Sequence, residues 1–150
     1  MLLIAIWGIV AIGVLGFVAW RVKRSRQRRE LEEHSIGAEA LHQLLEPVPR
    51  VLVYDVRQPL DLLAYSEMIP GATRVPPKNV LENPALIPRE KDVVVYCTCP
   101  GDKTSWEILR RARAQNYSRL KLLRGGLEAW KAKGYAVEPY KDSFRLDTAV

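Results

Sequence analysis

Two cysteines, Cys97 and Cys99, are the residues of this 150-residue chain most suited to covalent chemistry. They follow VVVYC (93–97), a β-branched run typical of a buried parallel strand, and precede a helix predicted from about Thr104 to Gln115. Ligands bind where strands end in α/β sheets, and the loop N–H groups and helix N-terminus stabilise a thiolate there. Lys103 adds a cation. The segment therefore predicts a nucleophile directed at an anionic substrate.

Other uses of two cysteines fit the sequence less well. A structural zinc site needs four ligands, and the chain offers two cysteines and two distant histidines, His34 and His42. A disulfide between residues two positions apart is strained, and a reducing compartment disfavours it. A pair of buried, inert thiols stays open as an alternative. We expect a reactive Cys97 and no metal, with His42 on the polar side of the first helix and without a catalytic role.

The surrounding segments alternate between strand-like and helix-like patterns, which indicates an α/β fold. VLVYDV (51–56) and LKLL (120–123) are further strands by composition. A helix with Ser35 as its N-cap is expected to end before Pro47, and a last helix runs from about Gly126 to Gly134. Six of the ten prolines lie in residues 57–92, which predicts short helices and loops there.

Asp55 and Arg57 lie at the end of the run VLVYDV and just after it. The carboxyl ends of parallel strands meet at one edge of a sheet, so we expect this acid and this base beside the cysteine loop. Their opposite charges predict an ion pair, which we interpret as mainly structural. Thr104 and Ser105, at the start of the helix after the cysteines, are expected to cap it.

The first 20 residues carry no charged side chain, and as a helix they are long enough to span a hydrocarbon core of about 30 Å. Six of the 23 basic residues follow within positions 21–29, and three glutamates come directly after them. We predict a transmembrane helix at 1–20, a juxtamembrane linker at 21–33 and a domain in the cytoplasm, because positive charge resists translocation. A cleavable signal peptide would need a charged start and a shorter apolar stretch. The basic charge is local, so nucleic-acid binding is not expected.

Four segments in order resemble a single rhodanese domain: DVRQP (55–59), MIPGA (68–72), VVVYC (93–97) and LRGGLEAWKAKGY (123–135). The resemblance covers about residues 35–140, so we take 34–140 as the domain and 141–150 as a C-terminal tail. It implies a central, mainly parallel sheet of about five strands with helices on both faces, and a catalytic Cys97.

The resemblance also implies a sulfurtransferase, in which the Cys97 thiolate takes sulfur from a thiosulfate-type anion and holds it as a persulfide. Cyanide or a thiol, including a protein thiol, then accepts the sulfur, and no cofactor is needed. Asp55, Arg57 and Ser105 would support the site. The anion-binding loop would consist of Thr98, Cys99, Pro100, Gly101, Asp102, Lys103 and Thr104.

Three departures from the family pattern keep alternatives open. CTCPGDK (97–103) takes seven residues to reach Lys103, where six are usual, and a longer loop also suits a phosphatase. Lys103 and Asp102 argue against phosphate, because lysine lacks the bidentate contact and aspartate is negative. Met68 replaces the usual histidine before IPGA, which favours a catalytically silent module that binds a partner at the membrane. Cys99 is read as a resolving thiol, a sulfur relay or a passive neighbour. By resemblance, the expected location is a bacterial inner membrane.

Overall fold

The computed structural model of the chain describes residues 2–98 and 100–141. The chain divides into two compact units, residues 1–33 and residues 34–150. The first unit is a single helix, α1 (Leu2–Glu33), so the basic residues at positions 21–29 continue the same helix as the apolar stretch. From Ile12 to Val22 its large apolar side chains are exposed. Among the described residues, no helix combines the length and the apolar character that crossing a membrane requires.

Five short strands of the second unit form one sheet: Ser35–Ile36 (β1), Leu52–Asp55 (β2), Thr73–Arg74 (β4), Val93–Tyr96 (β5) and Leu120–Leu123 (β6). Their order in the sheet is β1-β6-β5-β2-β4. All neighbouring pairs are parallel, and at the centre the four residues of β2 lie in register with the four of β5. The predicted α/β fold with a five-stranded parallel sheet is therefore confirmed.

Five helices connect the strands, and two short strands, β3 (Glu67–Met68) and β7 (Glu138–Pro139), form a separate antiparallel pair. The helices are Ala38–Leu45 (α2), Pro59–Ala64 (α3), Pro77–Glu82 (α4), Lys103–Ala114 (α5) and Gly126–Ala132 (α6), with 3-10 turns at Pro84–Leu86 and Pro100–Asp102. Helix α2 contacts α6, and α4 contacts α5.

The main hydrophobic core lies where α2 and α6 cover the sheet. Leu41 of α2 and Leu127 of α6 pack with Val53, Val94 and other inward residues of the central strands. β5 is buried along its whole length, which is why its four residues form an unbroken apolar run. This burial fixes the end of β5, and with it the position of the residue that follows.

One predicted boundary is wrong. Ser35 does not cap a helix: Ser35 and Ile36 form an edge strand that pairs with β6, and the helix begins three residues later, at Ala38. The main-chain N–H of Arg124 donates to the Ile36 carbonyl at 3.0 Å, so pairing with a distant strand replaces the local cap. Residues 57–92 form short helices, two-residue strands and loops, as their prolines predict.

Candidate active site

Cys97 directly follows β5 and is buried, with 1% of its surface exposed. Because β2, β5 and β6 are parallel, their carboxyl ends bring Asp55, the Cys97 segment and Leu123 to the same edge of the sheet. The structure thus places Cys97 where a parallel sheet binds ligands, as the sequence predicts. Thr98, the next residue, is partly exposed and lines a cleft.

Gly126, the first residue of α6, packs directly on the main chain of Cys97. A Cβ atom at Gly126 would lie 1.7 Å from the Cys97 carbonyl oxygen, and the glycine has a φ of +53°. The N–H of Leu127 donates to the same oxygen at 3.4 Å. No side chain fits between these segments, so glycine at position 126 allows the start of α6 to pack against the main chain of Cys97.

The loop after Cys97 turns sharply into α5. Residues Pro100–Asp102 form a 3-10 turn, and Gly101 and Asp102 both have left-handed backbone, with φ of +70° and +54°. A left-handed non-glycine residue is unusual and occurs preferentially at asparagine and aspartate. The turn sets the start of α5 at Lys103, so a twelve-residue helix begins directly after the loop. Its N-terminal N–H groups provide partial positive charge there.

Asp102 ties the loop to the start of α6. Its carboxylate accepts a hydrogen bond of 3.0 Å from the N–H of Gly125, and the residue is 8% exposed. Burial raises the pKa of the Asp102 carboxyl, and the Gly125 hydrogen bond opposes this effect only in part. The Asp102 carboxylate therefore has a structural role, since it accepts the Gly125 hydrogen bond, in addition to placing a negative charge beside the loop.

A cleft of about 360 Å³ opens beside Thr98. Its wall is mostly apolar, and an ion pair between Lys131 and Glu67 of β3 adjoins it. This cleft lies next to the cysteine segment. A small molecule or an extended peptide can approach that segment through the cleft. The other lining residues are Tyr65, Leu127, Glu128 and Ala132.

Asp55 and Arg57 form the buried ion pair that the sequence predicts, and both side chains have 0% exposure. The Nε of Arg57 donates to both carboxylate oxygens of Asp55, at 2.9 and 3.0 Å. The other guanidinium nitrogens donate to the carbonyls of Tyr65 and Glu67, at 2.7 and 2.8 Å. The pair thus holds the segment that forms one wall of the cleft, which agrees with its structural interpretation.

Tyr96 completes this network, and the sequence analysis missed it. Its hydroxyl donates to the Asp55 carboxylate at 3.1 Å and accepts from the Ile69 N–H at 3.3 Å. Burial and the adjacent Asp55 charge raise the pKa of Tyr96, so the phenol stays neutral. Burial disfavours the charge on Arg57, but the hydrogen bonds and charge of Asp55 outweigh this and raise the pKa of Arg57. The network depends on the register between β2 and β5. No sequence pattern within either strand indicates that register.

The remaining predicted residues have mixed outcomes. Lys103 is exposed at the first position of α5. Ser105 is not a cap: it is fully buried, and its hydroxyl has no hydrogen-bond partner within the described part of the chain. Thr104 lies in the same first turn and is partly exposed. Cys99 lies outside the described residues, so its three interpretations stay predictions.

His42 is partly exposed on α2, with Nε2 3.5 Å from a carboxylate oxygen of Glu46, and it also contacts aromatic rings. Its ring stacks on Tyr135 with centroids 4.0 Å apart and lies 5.7 Å from the Trp130 ring. Both rings come from residues 130–135, so the position of His42 in α2 does not by itself indicate this contact. Over residues 2–98 and 100–141, no group of three or more His, Cys, Asp or Glu side chains lies close enough to hold a metal ion.

Comparisons with known proteins agree with this geometry. The Rhodanese-like domain family matches residues 37–133. A sulfurtransferase from Allochromatium vinosum is 32% identical over 104 residues, which are 69% of this chain and 94% of that protein.

Two solved structures have the same fold. The rhodanese-like domain of an Anabaena protein is 26% identical with a TM-score of 0.59, covering 71% of this chain and 79% of that one. A rhodanese-related protein from Thermoplasma volcanium, 23% identical, has a TM-score of 0.58 and covers 72% and 99%. With a family match over most of the second unit and a curated relative above 30% identity, the chain belongs to the rhodanese-like domain family.

Proposed function

We propose that the protein is a sulfurtransferase in which Cys97 carries the transferred sulfur. The Cys97 thiolate attacks the outer sulfur of a thiosulfate-type donor, a new S–S bond forms, and the donor S–S bond breaks. Sulfite leaves with the electron pair, and Cys97 becomes a persulfide anion. A cyanide ion or a thiolate then attacks the outer sulfur, leaves as thiocyanate or a new persulfide, and restores the Cys97 thiolate.

The placement of Cys97 carries this proposal. The residue lies at the carboxyl edge of the parallel sheet, on a main chain held by Gly126, in a loop that leads directly into the N-terminus of α5. Helix N-termini and converging loop N–H groups stabilise an anionic sulfur, both as thiolate and as persulfide. The named activity of the Allochromatium vinosum relative adds independent support. The cleft beside Thr98 supplies the route for donor and acceptor.

A turnover assay tests the proposal against a silent, partner-binding module. The purified 150-residue chain is supplied with thiosulfate and cyanide, and thiocyanate is measured. We expect catalytic thiocyanate production that Cys97→Ser abolishes and that Cys99→Ser retains at least in part. Production equal to the uncatalysed rate, or a fully active Cys97→Ser protein, would overturn the assignment of Cys97 as sulfur carrier.

We further infer that residues 1–20 anchor the chain in a membrane, with the rhodanese-like domain in the cytoplasm. The inference comes from the sequence, since no helix of the described residues has the length and apolar character that spanning a membrane requires. The inference depends on the uncharged stretch 1–20 and the basic run 21–29. The exposed apolar side chains from Ile12 to Val22 add to it, because such side chains are usually covered by lipid or protein.

Arginine substitutions within the apolar stretch test the anchor in the whole chain. We expect the wild-type chain to sediment with bacterial membranes after alkaline carbonate washing, and the double variant Ile12→Arg and Leu15→Arg to be released. Arginine near the centre of a span disfavours insertion by about 2.5–3.5 kcal/mol per residue. Leu60→Arg, at an exposed apolar position of the domain, is the matched control and stays with the membrane. Release of the wild-type chain would contradict the inference.

A further inference from the structure

A cavity of about 400 Å³ lies at the amino edge of the sheet, where the strands begin, opposite the edge that carries the sulfur site. Val51 directly precedes β2, Asp92 precedes β5 and Arg119 precedes β6, and all three line this cavity. Main-chain hydrogen bonds join the segments. The Leu52 N–H donates to the Asp92 carbonyl at 3.0 Å, and the Val93 N–H donates to the Arg119 carbonyl at 3.1 Å. The sheet therefore fixes the lining, and the sulfur transfer proposed above does not use it.

The floor of this amino-edge cavity is apolar. It consists of side chains from β1, α2 and the beginnings of β2 and β5, namely Ile36, Leu44, Val51 and Val94. Three of them belong to the main core and Leu44 packs against it, so the core holds the floor in place. An apolar surface beside an open cavity is favourably covered by an apolar ligand, because covering it removes that surface from water.

Lys121 is an unusual residue for its position in the sheet. It lies in register with Val94, and Leu123, two residues further along β6, belongs to the main core. Side chains two positions apart in a strand point to the same face, so Lys121 lies on the face that α2 and α6 cover. Strands of buried parallel sheets are usually apolar along their whole length. Here the strand places an exposed lysine beside an apolar floor.

Two arginines, Arg50 and Arg119, line the same cavity, and both are exposed. The carboxylate of Asp92 also lines it, but this group lies 3.5 Å from the Arg119 Nε and pairs with that side chain. Another guanidinium nitrogen of Arg119 donates to the Glu90 carbonyl at 2.6 Å, which holds the arginine at the rim. With Lys121, the described lining therefore carries an excess of positive charge, which attracts anions.

We propose that this cavity binds an amphipathic organic anion, whose apolar body covers the floor and whose carboxylate or phosphate binds Arg50, Arg119 and Lys121. Small-molecule sites combine a mostly apolar lining with a few polar groups that orient the ligand, usually in roughly 300–1,000 Å³. Guanidinium groups suit the anionic end, because they bind carboxylates and phosphates through two parallel hydrogen bonds. A free acyl carboxylate and an anionic lipid both offer this chemistry. The inference is independent of sulfur transfer.

Protection of Lys121 from chemical modification tests the proposal on the full 150-residue chain. Lysines are methylated with formaldehyde and cyanoborohydride, with and without decanoate below its micelle concentration, and peptide mass spectrometry gives the rate at each lysine. Lys78, exposed on α4, is the internal reference. Three further probes are compared. Butyrate has the same charge on a shorter chain, decyltrimethylammonium has the same chain with the opposite charge, and dihexanoylphosphatidylglycerol is a soluble anionic lipid.

We expect decanoate to slow the methylation of Lys121 and to leave Lys78 unchanged. Butyrate should need a concentration about tenfold higher or more, because its chain covers little of the floor, and decyltrimethylammonium should give no protection. Arg50→Gln should raise the decanoate concentration needed by about tenfold. Arg110→Gln, at an exposed position of α5, is the matched control and should keep the wild-type value. Thermal unfolding checks that both variants are folded.

Protection by decanoate at the lower concentration assigns the site to a free acyl carboxylate, and protection by the phosphatidylglycerol at the lower concentration assigns it to an anionic lipid. The proposal is overturned if neither anion protects Lys121, if decyltrimethylammonium protects it equally, or if Arg50→Gln changes nothing. A lysine that only keeps the sheet from pairing with another chain gives the first of these results. Sulfur uptake from thiosulfate is measured in parallel and should be the same in Arg50→Gln and wild type, so failure of sulfur transfer is seen separately.

Discussion

At the scale of single residues, the polar side chains near Cys97 divide into those that build the loop and those left for chemistry. The Asp102 carboxylate accepts a hydrogen bond from Gly125, and the Asp55 carboxylate accepts hydrogen bonds from Arg57 and Tyr96. Both carboxylates are thus engaged by the protein itself. Lys103 and the main-chain N–H groups of the loop remain to attract a donor anion.

Asp102 predicts a specific pH dependence. Its pKa is higher in the folded chain than in the unfolded chain, so the folded state binds more protons. This carboxyl therefore favours folding below its unfolded pKa of about 3.9, and the advantage is lost as pH rises through the folded value. We expect Asp102→Asn to unfold at a higher temperature than wild type at pH 7, and the difference to disappear in acid.

The asparagine also removes a negative charge beside the loop, so sulfur uptake from a dianionic donor should be faster at neutral pH. Asp92→Asn is the control, because Asp92 is exposed and pairs with Arg119 at 3.5 Å, an interaction worth at most about 1 kcal/mol. A lower stability of Asp102→Asn at pH 7 would mean that the charge on Asp102 stabilises the turn.

Tyr96→Phe tests the buried network under the cleft wall. The change removes a donor to Asp55 and leaves the Ile69 N–H without its acceptor, so we expect a loss of about 1–3 kcal/mol of unfolding free energy. Tyr54→Phe, on the neighbouring strand, should change stability little, because Tyr54 is only partly buried. Urea unfolding of both variants measures the difference, and equal losses would contradict the role of Tyr96.

At the scale of elements, the site is made by the meeting of β5, α5 and α6. The central strands are predictable from sequence because β2, β5 and β6 are short apolar runs with enough residues to show their burial. The edge strand Ser35–Ile36 is not predictable in this way. Two residues carry no periodicity, and their partner, β6, is more than 80 residues away along the chain.

Gly126→Ala tests the contact between α6 and Cys97. A left-handed residue with a side chain costs about 1–2 kcal/mol, and here the added methyl would also overlap the Cys97 carbonyl oxygen. Gly134→Ala is a matched control, since Gly134 has a φ of +74° and no atom within 4 Å of the added carbon. We expect Gly134→Ala to lose only the stability that a side chain costs in a left-handed backbone. Gly126→Ala should lose clearly more stability, and it should also lose sulfur uptake.

Differential scanning calorimetry and a sulfur uptake assay on the two proteins make this comparison. Similar unfolding temperatures for Gly126→Ala and Gly134→Ala would show that α6 moves away from Cys97 without a penalty. The two adjacent glycines 125 and 126 are visible in the sequence, but the carbonyl that Gly126 approaches belongs to Cys97, almost 30 residues earlier. Glycine spacing alone therefore predicts a turn and not its contact.

At the scale of the whole chain, the family match covers residues 37–133 of the second unit, and the first unit is a long helix. The sequence motifs were sufficient to predict the fold class, the strand that ends at Cys97 and the Asp55–Arg57 pair. They did not reveal Tyr96, the buried Ser105 hydroxyl or the stacking of His42 on Tyr135. Each of these depends on which elements pack together, and tertiary contacts leave no periodic trace in the sequence.

The central claim is that Cys97 accepts sulfur, and intact mass spectrometry tests it most directly. The purified chain is incubated with thiosulfate, its mass is measured, and the measurement is repeated after cyanide is added. We predict the gain of one sulfur atom, its removal as thiocyanate by cyanide, and no gain in Cys97→Ser under the same conditions. A wild-type chain that gains no sulfur, or a Cys97→Ser protein that gains it equally, would contradict the account.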